Sequence, residues 1–277
     1  MTTMTEPTAA AALPPYRTDQ RVTQLRVLRS EWTKLRSLAS SAWCLLATVA
    51  LTVGIGLVYT GVRVARPPQG AAALARWDPT SVSLSGVQLA QFAIGVLGVL
   101  LITGEYATGA IRTSFAAVPA RLPVLWGKAI VFLVTTLVLC VPATFAAFLV
   151  GQSILAPGHL NTSLSQPGTA RAVLGAALYL AVVGLLGLGL GALLRNTAGA
   201  TAALFGVLFA PQLIVGFLPE TWSDQIYRYL PAPAGQAVTI VRPDATLLAP
   251  WTGLGLLCLY AAILLALAAW RIRRRNV

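Results

Sequence analysis

Six stretches of the chain are apolar almost without interruption: residues 41–61, 82–103, 129–151, 172–193, 198–217 and 251–270. Each has about the 20 residues a helix needs to cross ~30 Å of hydrocarbon. None alternates apolar with polar residues, as a half-buried strand does. In lipid the backbone must satisfy its own polar groups, so runs of this kind predict helices. The predicted fold class is therefore all-α integral membrane, with six transmembrane helices. The second run is the weakest, because it carries Gln88 and Gln91. Only Arg195 and Asn196 split the fourth run from the fifth, which predicts a tight helical hairpin.

Upstream of the first run the pattern changes. Val22, Leu25, Leu28, Trp32, Leu35 and Leu38 recur every three or four positions, with Arg26, Arg29, Lys34 and Arg36 between them. This spacing predicts an amphipathic helix over 21–40, with an apolar stripe and a basic face. Trp32 suits the headgroup level. Residues 1–20 are polar, and Thr, Ala and Pro dominate 1–16, as in a disordered tail. A cleavable signal peptide would place its apolar stretch nearer the start, so the N-terminus is expected to be retained.

Residues 104–128, between the second and third runs, are of mixed polarity. Ile111, Phe115 and Val118 share one helical face, Thr108 is a candidate N-cap, and Pro119 ends the segment. Pro123 is placed to open the third span. Glu105 would lie at the C-terminus of the second span, where the helix dipole disfavours an anion. A cationic partner is expected, with Arg112, Arg121, Lys128 or a second protein as candidates.

Composition sharpens this picture. The 277 residues are 57% hydrophobic and 10% charged, against about 25% charged in soluble domains. The net charge of +12 lies between and beside the apolar runs, which points to anionic lipid and not to nucleic acid. With both termini cytoplasmic, 14 of the 20 basic residues fall on the cytoplasmic side, including Arg271 and Arg273–Arg275 in the basic tail 271–277. Six fall outside: Arg63, Arg66, Arg76, Arg171, Arg228 and Arg242. The positive-inside rule favours that orientation.

Candidate chemistry is sparse. Cys44, Cys140 and Cys258 lie inside apolar runs with no metal-ligand spacing. There is no phosphate loop, HExxH or GxSxG pattern, and no metal site is expected. Gln88 and Gln91 share one helical face and either bond a neighbouring helix or line a substrate path. Gly187 and Gly191 form a GxxxG, with Gly184 near the same face, which predicts close helix packing. The proline-rich segment 218–250 either dips into the outer leaflet as a plug or caps an exit path.

The order of these parts resembles the permease subunit of bacterial type-2 ATP-binding-cassette (ABC) exporters, especially actinobacterial ones. The likeness spans residues 21–277 and is carried by SEWTKLRS (30–37), GEYATGAIRTSFAAVPAR (104–121) and YLPAPAGQA (229–237). The resemblance implies a plasma-membrane permease domain over 41–270 that is not itself an enzyme. Two permease copies, identical or not, would sit on separate ATPase chains that hold the ATP and Mg. It further implies that the loop holds a coupling helix, with Glu105, Thr108, Ile111, Arg112, Phe115 and Arg121 as ATPase-coupling residues. Glu31, Trp32, Lys34 and Arg36 would belong to the family's connecting helix. Rival readings are a membrane-embedded enzyme and a non-transporting sensor or assembly protein.

Overall fold

A computed structural model describes residues 23–75, 77–110, 122–242 and 246–274. Among them there is no strand. Helix α1 (Gln24–Ser37) leads into α2 (Ala39–Ala65), whose middle turn, Leu51–Ile55, is π-helical. Two short helices, α3 (Ala71–Ala75) and α4 (Pro79–Ser83), precede α5 (Val87–Ala107). The bundle continues with α6 (Leu122–Leu155), α7 (Thr169–Leu194) and α8 (Thr197–Val215). After α9 (Glu220–Tyr227) and α10 (Pro231–Gln236), α11 (Pro250–Arg274) closes the chain. Six of these, α2, α5, α6, α7, α8 and α11, are long and apolar enough to cross a membrane.

The six coincide with the six apolar runs, but their ends differ. Helix α6 begins at Leu122, well before residue 129, with Pro123 in its first turn. Proline is tolerated there because the first amides of a helix have no intrahelical acceptor. Helix α5 runs on to Ala107, and Thr108 is its C-cap: the Thr108 hydroxyl donates to the Gly104 carbonyl at 2.9 Å. The helix that Thr108 is expected to cap lies outside the described residues. Ile111, Arg112, Phe115 and Arg121 lie outside the described residues, as do residues 1–22.

Helix α7 is the most buried of the six and forms the axis of the bundle. Its glycines let α5 approach to backbone contact. A Cβ on Gly98 would overlap the Gly184 carbonyl, and one on Gly187 would overlap the Gly95 carbonyl. The predicted GxxxG face is thus the α5–α7 seam. Tyr179, Phe132 and Phe148 are the largest fully buried side chains around it. Helices α2 and α8 are the least buried of the six.

The segment before α11 folds into the bundle. Ala232 to Gly235, Ala237 and Val238 are buried against α7 and α11. A Cβ on Gly235 would overlap the Tyr179 ring and Leu257. Part of 218–250 is therefore packed into the helix bundle.

Candidate functional site: a buried ion quartet

Helix α1 lies along the first turns of α6. Gln24 Nε2 donates to the Pro123 carbonyl at 3.3 Å. One turn on, Val27 rests over Gly127, where a Cβ would sit 3.0 Å from Val27 Cγ1. A further turn on, Glu31 meets Lys128. The buried line of α1 is therefore Val27–Glu31–Leu35. The predicted apolar stripe overlaps it only in part: Leu35 is buried and Leu28 half-buried, whereas Leu25, Trp32 and Leu38 are exposed, at 59%, 47% and 46%. Arg26, Arg29 and Arg36 are exposed as well. An apolar pattern alone could not place Glu31 inward, because the reason is a cation 97 residues away.

Four charges meet there. Lys128 Nζ lies 2.5 Å from Glu31 Oε2 and 2.8 Å from Glu105 Oε1. Lys34 Nζ lies 2.7 Å from Glu31 Oε1 and 3.0 Å from Glu105 Oε1. Each lysine bridges both carboxylates, so the signs alternate around the ring and the formal charge sums to zero. The side chains of Glu31 and Lys128 are each 3% exposed. Lys34 and Lys128 are also the only two lysines in the chain.

The physics of this arrangement is stringent. Removing an ion from water costs several kcal/mol even after relaxation, and only close, multiple pairing offsets it. Glu105 carries an extra penalty at the C-terminal end of α5, which its two ammonium partners counter. Beside the ring there is a void of about 10 Å³, room for no more than about one water, so the pairs are direct. Burial works against the charge on Lys34. The hydrogen bond and attraction of Glu31, and then of Glu105, outweigh it and hold Lys34 above its ordinary pKa. One acceptor is left over: Glu105 Oε2 is buried without a partner among the described residues.

The quartet holds both ends of the 104–128 stretch. Glu105 precedes the loop, Lys128 follows it, and α1 supplies the other two charges. Of the candidate partners for Glu105, the structure brings Lys128 to it and adds Lys34 from α1. Trp32 and Arg36 point away from the ring. Next to it, the Arg195 guanidinium lies 5.1 Å from the Tyr106 ring. Arg195 turns the α7–α8 hairpin in left-handed backbone (φ 57°). The Thr197 hydroxyl donates to Thr103 at 2.9 Å.

Gln88 and Gln91 take part in a second polar cluster, at the other end of the bundle. Gln91 is buried, accepts from the Tyr179 hydroxyl, and donates to the Gln88 carbonyl. Gln88 and Gln236 exchange amide hydrogen bonds of 2.9 Å in both directions, and Gln236 also donates to Tyr179 at 3.2 Å. The sequence pattern did not single out Tyr179, and it held Gln236 only as part of the motif YLPAPAGQA, with no role of its own.

Among the described residues, no three His, Cys, Asp or Glu side chains come together as metal ligands would. No protein-family model matches the chain, and no curated protein matches it.

Proposed function

We propose that the chain is the membrane-spanning permease subunit of an ABC exporter, driven by a separate ATPase chain that binds ATP and Mg. The observation that carries this reading is the buried quartet. It binds the amphipathic helix α1 to both ends of the 104–128 loop, so that a push on either is felt by α5 and α6 together. A buried ring of four charges is a rigid joint, since breaking one pair strands an ion away from water. A loop that must pass force from a soluble motor into two spans needs such a joint.

Charge distribution supports placing the α1 end in the cytoplasm. Arg26, Arg29, Arg36, Arg195, Arg271, Arg273 and Arg274 lie at that end, and both termini would be cytoplasmic in a bacterial plasma membrane. In this reading the loop, with Arg112 and Arg121, docks on the ATPase. The thin burial of α2 and α8 leaves apolar faces for lipid and for a second permease copy. On α8, Phe205 and Phe209 stack on Phe92 at 4.8 and 4.7 Å, while Leu213, Ile214 and Phe217 are exposed beyond them. Co-expression with an ABC ATPase encoded beside this chain tests the reading. A stable complex whose ATP hydrolysis changes when the permease is present is the expected result. Two proteins that purify apart, with the ATPase rate unaltered, would favour a sensor or assembly role.

A further inference from the structure

The end of the bundle opposite α1 holds a cavity of about 560 Å³. It opens between the last turns of α2, the α4 turn, the start of α5 and the stretch after α10. That volume is typical of small-molecule sites, which run from about 300 to 1,000 Å³. Two charged side chains, Arg63 and Asp78, are among the described residues that line it.

These two are not equivalent. Asp78 is occupied by its own backbone surroundings. Its Oδ1 accepts from the amides of Thr80 and Ser81 at 3.0 and 3.2 Å, capping α4, and Oδ2 accepts from the Val241 amide at 3.4 Å. Arg63 has no ion-pair partner among the described residues. Its Nε donates to the Tyr59 hydroxyl at 3.2 Å. Its guanidinium carbon lies 5.2 Å from the Tyr59 ring and 5.9 Å from the Trp77 ring. Trp77 is itself held by a 3.0 Å hydrogen bond from Nε1 to the Leu160 carbonyl. The exposed guanidinium thus lies against two aromatic rings, with no carboxylate within ion-pair distance of it among the described residues.

The remainder of the wall is divided. Ile55, Leu84, Val87 and Ile240 form an apolar side, and the closed Gln88–Gln236 amide pair lies among them. Oriented guanidinium donors take oxyanions, because charge-assisted hydrogen bonds are about twice as strong as neutral ones. An apolar wall beside an exposed cation that lies against aromatic rings matches a molecule that has both an anionic head and an alkyl chain.

We infer that this cavity binds an anionic amphiphile, with its phosphate or carboxylate head on Arg63 between Tyr59 and Trp77 and its alkyl chain along Ile55, Leu84 and Val87. The inference stands apart from the transport reading, since it concerns binding to this chain alone.

The test is native mass spectrometry of the full chain in a neutral maltoside detergent, with oleoyl lysophosphatidic acid as the probe. Monoolein supplies the same chain without the charge, and inorganic phosphate the charge without the chain. One lysophosphatidic acid per chain is expected, at an occupancy at least about tenfold above monoolein. Arg63→Gln should lower that occupancy about tenfold, while Arg63→Lys retains it in part. Arg66→Gln, a charge of the same helix end that does not line the cavity, should leave it unchanged. Equal binding of monoolein, an undiminished adduct in Arg63→Gln, or equal loss in Arg66→Gln would overturn the inference. Displacement of the probe by inorganic phosphate would overturn the amphiphile assignment and leave a site for free phosphate. Should Arg63→Gln fail to fold, the comparison of the three probes on the unaltered chain still decides.

Discussion

Lys128 reaches back across 97 residues of sequence to lie 2.5 Å from a carboxylate oxygen of Glu31, with both side chains almost wholly removed from solvent. This contact fixes where α1 sits and which of its faces turns inward. Breaking it is expected to be costly. Lys128→Met leaves Glu31 and Glu105 with only the partly exposed Lys34 between them, and stability should fall by about 3–5 kcal/mol. Thermal unfolding of the purified chain in detergent would show the loss. Adding Glu31→Leu to Lys128→Met removes one stranded charge and should restore part of it.

Lys34 closes the same ring but is a third exposed. Solvent screens its pairs, so Lys34→Met should cost no more than about 1 kcal/mol in the same assay. A loss as large as that of Lys128→Met would mean the two lysines share the load equally, contrary to their burial.

The Lys34 pairs also set a pH window. Glu31 and Glu105, working against burial, raise its pKa above the ordinary value of 10.5. A raised folded-state pKa adds stability that is fully present below the unfolded-state value and is lost as pH rises through the folded one. Docking of α1, followed by a fluorophore at Ser37, should stay constant from about pH 8 to 10 and weaken only above that range. In Lys34→Met this alkaline step should be absent.

The α5–α7 seam offers a test independent of charge. Gly98→Ala would drive a methyl into the Gly184 carbonyl and should destabilise by about 1–3 kcal/mol. Gly206→Ala, in α8, meets nothing within 4 Å and should be neutral or stabilising by about 0.4–1 kcal/mol. Unfolding midpoints of the two variants should therefore move in opposite directions, or only the first should move.

At the opposite end, Tyr179→Phe removes the hydroxyl that joins Gln91 to Gln236 and leaves the buried Gln91 Oε1 without its donor. A loss of about 1–3 kcal/mol is expected. An unchanged midpoint would show that the amides re-pair among themselves.

The six long helices were legible because the apolar runs are continuous and long, a pattern that survives without knowledge of partners. The unfavourable position of Glu105 was also legible, since a helix terminus is a local matter, and Lys128 stood among its candidate partners. The inward face of α1 was legible only in part. Of the predicted stripe the bundle takes Leu35 and half-buries Leu28, but it adds Val27 and Glu31 in place of Leu25, Trp32 and Leu38, because an ion pair and the gap at Gly127 decide the face. The end of α5 was not legible: it runs four residues further than apolarity alone required, to a C-cap at Thr108. The pairing of Tyr179 with Gln91 and Gln236 was hidden because the partners lie in different segments.

The most direct measurement is a crosslink from the loop that the quartet holds. Ala116→Cys is introduced with Cys44, Cys140 and Cys258 replaced, and the chain is co-expressed with a candidate ABC ATPase of the kind proposed as its partner. A crosslink to the ATPase surface that changes in yield when ATP is added, and that loses this ATP response in Lys128→Met, is the predicted result. A loop that crosslinks to no ATPase, with or without ATP, would contradict the proposed coupling.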